Sequence, residues 1–179
     1  MLPTHAKNYF ELFDIPVSFE VDQETLSLRY RDLQRAVHPD RYANASEQEK
    51  RLSVQQAALI NEAFQALKSP LPRARYLLEI NGITLDDNDT RMDPMFLMEQ
   101  MELREDLAAV RSKVDPFGEL NALRDRIESK ERELVESLQS LFNDGDDLER
   151  GKDLVRRMQF MQRLLSEVDE LEDDLVHDA

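Results

Sequence analysis

The fold is decided by residues 26–40, which read LSLRYRDLQRAVHPD. Four apolar residues recur there at helical spacing: Leu26, Tyr30, Leu33 and Val37. This spacing predicts an amphipathic helix with one buried stripe. Asp22 is a suitable N-cap for it. Pro39 lacks a backbone N–H and restricts His38 to extended conformations, so we expect the helix to end there.

The segments on either side complete a small helical unit. Ser46 and Glu49 have the spacing of a capping box, which predicts that another helix begins after Ser46. Its expected buried stripe comprises Ala57, Ile60, Phe64 and Leu67. Tyr9, Leu12 and Phe13 indicate a short first helix that ends near Ile15–Pro16. We therefore expect an antiparallel helical hairpin with the first helix packed across it.

The rest of the chain also reads as helix. A shorter helix is expected after Ser69–Pro72, ending at Asn81–Gly82, and a polar linker is expected from Thr84 to Arg91. Asp93–Pro94 and Asp115–Pro116 are typical helix starts.

Two long heptad-like series follow, with a turn at Asn143–Gly145 between them. The first comprises Leu120, Leu123, Ile127, Leu134, Leu138 and Leu141; the second comprises Leu154, Met158, Met161, Leu165 and Val168. The predicted fold is all-α, with a helical hairpin in residues 1–76, a connecting segment in 77–92 and an antiparallel three-helix bundle in 93–179.

Composition limits the possible functions. The net charge is −15, and residues 1–76 are neutral, with 10 basic and 10 acidic residues. Residues 77–179 therefore hold 13 of the 23 basic and 28 of the 38 acidic residues, which argues against nucleic-acid or anionic-membrane partners. Cysteine is absent and the three histidines lie far apart, which argues against a thiolate or His-rich metal site. A carboxylate-only site stays open, but no pattern supports it, so we expect no metal and no cofactor. Without an apolar leader or a long apolar run, we expect a cytoplasmic location.

The tripeptide His38–Pro39–Asp40 is the first candidate site. Taken alone it could be only a helix stop and a turn. Its setting favours a docking loop, because Arg31 and Arg35 lie one turn apart on the preceding helix and Arg41 follows. These cations suit an acidic groove on a partner protein.

The arrangement resembles the J-domain of DnaJ-type co-chaperones. The likeness includes residues 9–13, 26–40 and 60–67, the last reading INEAFQAL. The resemblance implies that His38, Pro39 and Asp40 signal to a DnaK-class chaperone and stimulate its ATP hydrolysis, with Arg31 and Arg35 assisting. Asp32 interrupts the basic stretch, which fits a dedicated partner better than a general one.

The second candidate site lies in residues 96–105, FLMEQMELRE. A buried stripe is expected from Phe96, Leu103, Leu107 and Val110. Five residues lie outside this stripe and would form an outward patch of apolar and acidic side chains: Leu97, Met98, Met101, Glu102 and Glu105. Phe160 lies outside the seam of the last helix and could add an aromatic anchor. From periodicity alone, a partner-binding patch and a wide buried face are equally acceptable.

The whole chain resembles the bacterial HscB family of iron–sulfur co-chaperones, through residues 72–78, residues 96–105 and the acidic last helix. That resemblance implies a J-domain that serves the chaperone HscA. It also implies a C-terminal domain that binds the cluster scaffold IscU through Leu97, Met98, Met101, Glu102, Glu105 and Phe160.

Two other interpretations remain: a J-protein for another client, and a coiled-coil adaptor that dimerises. An enzyme using His38 as a general base is disfavoured, because no second catalytic group is evident.

Overall fold

The computed structural model describes residues 7–42, 45–86, 93–145 and 147–177. Every regular element among these residues is helical, so the predicted all-α class is confirmed. The chain divides into two compact units between Ile83 and Thr84. The functional bounds 1–76 and 93–179 stay a prediction, and residues 87–92 of the expected linker lie outside the described residues.

The first unit is the predicted helical hairpin with a short helix at each end. Its helices are α1 (Tyr9–Leu12), α2 (Gln23–Val37), α3 (Glu47–Leu67) and α4 (Pro70–Ile80), with a 3₁₀ turn at Pro39–Tyr42. Asp22 caps α2 by accepting from the N–H groups of Glu24 and Thr25. The predicted capping box at Ser46 and Glu49 is also present. The first helix is shorter than expected, because its chain turns after Phe13.

The hairpin closes around aromatic and aliphatic side chains. Leu26 and Val37 of α2 are buried, as are Ile60 and Leu67 of α3. The rings of Tyr30 and Phe64 stack at 4.1 Å between centroids, which holds the two helices together. The predicted stripes are therefore confirmed in part: these four residues are core, whereas the other four are only half-buried, namely Tyr30, Leu33, Ala57 and Phe64.

Arg73 is a buried residue that the sequence did not single out. Its Nη1 donates to the Leu67 carbonyl at the end of α3, at 2.6 Å. Its guanidinium also lies 5.2 Å from the centre of the Phe19 ring. Burial lowers the pKa of Arg73. This side chain ties the start of α4 to the end of α3 and to the loop that precedes α2.

The second unit is the predicted three-helix bundle. It consists of α5 (Pro94–Ala109), which continues into a 3₁₀ turn at Val110–Ser112, then α6 (Pro116–Asp144) and α7 (Arg150–His177). Asp93 and Asp115 cap α5 and α6, and proline follows each cap. Gly145 ends α6 with φ +70°, a left-handed conformation that glycine adopts without strain. None of the described helices has the length and apolarity of a membrane span.

The buried face of α7 is wider than the predicted seam. Met158, Met161 and Val168 are buried as expected, but Leu154 and Leu165 are only half-buried. The core positions beside them include Val155, Phe160 and Leu164. This difference has a physical reason: α7 packs against both α5 and α6, so its buried face is broader than a two-helix seam.

Candidate functional site

The loop after α2 presents an exposed imidazole. Val37 is buried, and His38 follows it with φ −58° and ψ 132°, the extended conformation expected before proline. The His38 side chain is 57% exposed. The Asp40 backbone N–H donates to its Nδ1 at 3.3 Å, and the Asp40 carboxylate lies 3.5 Å from the same atom. Nε2 has no partner within the described residues, so it is available to a docking protein.

Three exposed arginines surround this loop, and they differ in pairing. Arg31 Nε donates to the Ser27 carbonyl at 3.2 Å. Arg35 lies 3.4 Å from Asp32, and both side chains of this pair are exposed. Arg41 Nη1 is 3.5 Å from the Arg35 carbonyl.

In the described part of the chain, neither Arg31 nor Arg41 has a carboxylate partner. Their charge therefore stays available for a partner, whereas Asp32 offsets that of Arg35.

A polar clamp holds the last turns of α2 in place. The Tyr30 hydroxyl donates to Asn61 Oδ1 at 2.9 Å, and Gln34 Nε2 donates to the same oxygen at 2.5 Å. Because Asn61 belongs to α3, the clamp fixes α2 against its neighbour one turn before the loop. The loop is thus carried on a rigid support. The side chain of Pro39 lies outside what the structure describes.

The second surface lies along α5. Phe96, Leu103 and Val110 are buried in the bundle. The residues expected to face outward do so: Leu97, Met98 and Met101 are exposed apolar side chains, with Met98 at 58% and Met101 at 61%. The predicted geometry of this surface is therefore present, whereas its role stays a prediction.

The acidic residues of α5 fall into two groups. Glu99 pairs with Lys130, and Asp106 pairs with Arg126 at 2.7 Å. Glu102 and Glu105 are exposed and form no ion pair within the described residues. The carboxylates beside Met98 and Met101 are therefore the ones left for an external cation.

Phe160 is not an exposed anchor. Its side chain is only 7% exposed and belongs to the bundle core. Its ring meets Phe96 edge-to-face at 5.8 Å, and the guanidinium of Arg104 lies 5.6 Å from its centre. The expectation of an aromatic ring outside the seam is corrected by the wide buried face of α7. Phe160 lies beneath α5, where it supports the exposed patch.

Metal binding finds no support in the described ranges, where no group of three His, Cys, Asp or Glu side chains is placed to hold an ion.

Two exposed surfaces, one on each compact unit, are the candidate sites. The first is a loop with an imidazole and free cations. The second is an apolar ridge with free carboxylates.

Comparison with known proteins finds relatives over nearly the whole chain. Residues 92–169 match the family model described as the HSCB C-terminal oligomerisation domain. A protein from Shewanella halifaxensis named "Co-chaperone protein HscB homolog" is 45% identical over 172 residues, covering 94% of this chain and 98% of that protein.

Two solved structures share the fold. "Chaperone HscB from Vibrio cholerae" has a TM-score of 0.87 and 43% identity, covering 94% of this chain and 99% of that one. "Crystal structure of human co-chaperone protein HscB" also has a TM-score of 0.87, with 32% identity, covering 96% of this chain and 85% of that one. The predicted architecture of a J-domain hairpin followed by a helical bundle is thereby confirmed.

Proposed function

This chain belongs to the HscB family of co-chaperones, and we propose that it stimulates ATP hydrolysis by the DnaK-class chaperone HscA while delivering the iron–sulfur scaffold IscU to it. One observation carries the proposal: the exposed imidazole loop belongs to one compact unit and the exposed Met98–Met101 ridge to the other, and the two have different chemistry. A protein with two such surfaces can hold two partners at once.

The first unit would act on the chaperone. His38, Pro39 and Asp40 form the signalling loop, and Arg31, Arg35 and Arg41 guide it to an acidic groove. The support for this assignment is the exposed imidazole with a free Nε2, accompanied by Arg31 and Arg41, which have no carboxylate partner among the described residues. Charges of this kind mainly govern encounter and orientation, while the loop itself makes the short-range contacts.

The second unit would bind the scaffold. Leu97, Met98 and Met101 offer an adaptable apolar contact, and methionine is common on such surfaces. Glu102 and Glu105 would pair with cations of the scaffold, since they form no ion pair with any residue that the structure describes. Phe160 would contribute from beneath, because it packs on Phe96 and so holds α5 in position.

We propose that the protein brings two partners together and does not make or break covalent bonds. Binding both partners raises the effective concentration of the scaffold at the chaperone, which favours the complex without any new contact between them. We propose that the protein acts in the cytoplasm, holds no cofactor of its own and catalyses no reaction itself. The HscB relatives are co-chaperones, which supports this assignment.

Calorimetry with purified partners tests the proposal. Met98→Ala should weaken binding to an IscU-type scaffold by about tenfold or more, the range of an interface anchor, while binding to HscA is unchanged. Met95→Ala is the matched control, because Met95 is exposed on the same helix but lies outside the proposed patch. Unchanged scaffold affinity in Met98→Ala, or an equal loss in Met95→Ala, would remove the patch from the proposal.

Self-association is a second candidate function, favoured by the description of the matched family model as an oligomerisation domain. Two copies would then pair through the bundle and act as an adaptor. Light scattering across a concentration series distinguishes the two, since a self-associating chain approaches twice its 20.9 kDa mass. If the mass stays that of a single chain at every concentration, the term oligomerisation in the family description would refer to assembly with other proteins.

A further inference from the structure

The sulfur atoms of this protein are unevenly placed. There is no cysteine among its 179 residues, and methionine is the only residue that carries sulfur. Met158 and Met161 of α7 are each 1% exposed in the bundle core. Met95, Met98 and Met101 of α5 are 71%, 58% and 61% exposed. Because thioether oxidation requires access by the oxidant, α5 holds the reactive sulfur of the described chain.

We propose that Met98 and Met101 are sites of reversible oxidation to methionine sulfoxide by peroxides, and that this modification releases the scaffold protein. A sulfur lone pair attacks one peroxide oxygen, so an S–O bond forms while the O–O bond breaks. The other oxygen takes up the proton of the attacked oxygen and leaves as water, or as an alcohol from an alkyl peroxide. Sulfur loses two electrons and the peroxide gains them. A methionine sulfoxide reductase restores the thioether as two thiols become a disulfide and water is released.

The immediate neighbours make the sulfoxide unfavourable in an interface. Its oxygen is a strong hydrogen-bond acceptor that must be satisfied when it is buried. Met98 and Met101 lie one helical turn before Glu102 and Glu105 respectively, and these two carboxylates form no ion pair within the described residues. Arg104, which lies one turn after Met101, already donates to Glu167. A carboxylate accepts hydrogen bonds and donates none when ionised. Oxidation would therefore add an acceptor beside two carboxylates that would already take the cations of the scaffold, in the part of the contact that the thioethers keep apolar.

The consequence for scaffold binding rests on the proposed function, whereas the selectivity of oxidation does not. We expect oxidation of both residues to weaken scaffold binding by about tenfold or more, the usual cost of an unpaired buried polar group. Folding should be unaffected, since both side chains already face solvent and the core sulfurs are protected.

The experiment treats the full chain with hydrogen peroxide and measures each methionine by peptide mass spectrometry. Met95, Met98 and Met101 should gain one oxygen well before Met158 and Met161. Circular dichroism before and after treatment should show the same helix content. Calorimetry with an IscU-type scaffold should then show the loss of affinity, and methionine sulfoxide reductases should restore it.

Leucine variants assign the effect to particular sulfurs. The double variant Met98→Leu/Met101→Leu keeps apolar side chains of similar volume but no sulfur, so its affinity, whatever its starting value, should be the same before and after peroxide. Met95→Leu removes an equally exposed sulfur outside the patch and should lose binding as the wild type does. For each protein the ratio of oxidised to untreated affinity is compared, so a modest change in starting affinity does not matter.

Four results would count against one or both proposals. If the untreated chain binds the scaffold and the fully oxidised chain binds equally well, the oxidation proposal is wrong and the proposed function stands. If oxidation weakens the double variant as much as the wild type, Met98 and Met101 are not the responsible sites. If the core methionines react as fast as those of α5, the selectivity argument fails. If the untreated chain does not bind at all, the proposed function and the release of the scaffold both fail, whereas the selectivity of oxidation is still decided by the mass spectra.

Discussion

Replacing Phe160 with alanine should show whether this ring supports the patch on α5 from beneath or contacts the scaffold itself. The ring is 7% exposed and packs edge-to-face on Phe96 at 5.8 Å, so truncation leaves a cavity beneath α5. Removing a buried phenyl ring typically costs about 3–5 kcal/mol of folding free energy. Met98 is 58% exposed, and replacing it with alanine should change folding free energy by no more than about 0.5 kcal/mol. One variant should therefore destabilise the protein while the other should not.

Urea denaturation followed by circular dichroism measures the first effect, and calorimetry with the scaffold measures binding. We expect Phe160→Ala to lower the unfolding midpoint and Met98→Ala to leave it in place while weakening binding. Phe160→Leu refills most of the cavity and should recover both stability and binding. The reasoning is refuted if Phe160→Ala keeps wild-type stability but loses scaffold affinity, because the ring would then be a surface contact.

Three other outcomes are expected. His38→Gln should abolish stimulation of the chaperone ATPase while circular dichroism and scaffold affinity stay unchanged, since the imidazole is exposed; undiminished stimulation would end its proposed role. Raising ionic strength from about 0.05 M to about 0.3 M should slow association with the chaperone more than association with the scaffold, because screening acts most on the exposed arginines. Stopped flow measures both association rates. An equal dependence of the two rates on salt would contradict the assignment of the arginines to the chaperone. Burial, with the hydrogen bond to Glu62, raises the pKa of Tyr9 to about 12. The contribution of the Tyr9 hydroxyl to stability is therefore complete below about pH 10 and is lost as pH rises toward 12. Between these pH values the free energy of unfolding should fall less in Tyr9→Phe than in the wild type. The same pH dependence in both proteins would contradict this expectation.

Local signals explain why much of the fold was predictable. Asp22, Ser46, Asp93 and Asp115 were recognised as caps because a cap acts on backbone within three residues of itself. Helical stripes are equally local, because the positions that share a face follow from the pitch of the helix. The outward placement of Met98 and Met101 was predictable for the same reason.

Features that depend on distant residues were not predictable. Phe160 is buried because α7 contacts both neighbouring helices, and its own periodicity does not contain that information. Arg104 pairs with Glu167, and Arg157 with Asp93, across more than sixty positions of sequence. On α5, Glu99 and Asp106 form ion pairs whereas Glu102 and Glu105 form none within the described residues, a distinction that composition cannot make among the many acidic residues. Arg73 was missed because arginine is rarely buried, and only the Leu67 carbonyl and Phe19 explain its position.

Steady-state ATP turnover by HscA, titrated with this protein in the presence and absence of IscU, tests the central claim most directly. We expect stimulation by the protein alone, and stimulation at lower protein concentration and to a higher maximum when the scaffold is present. The increment due to the scaffold should disappear in Met98→Ala/Met101→Ala, while the stimulation that the protein gives alone remains. Turnover that does not respond to this protein, or that is indifferent to the scaffold, would contradict the view that one chain links the two partners.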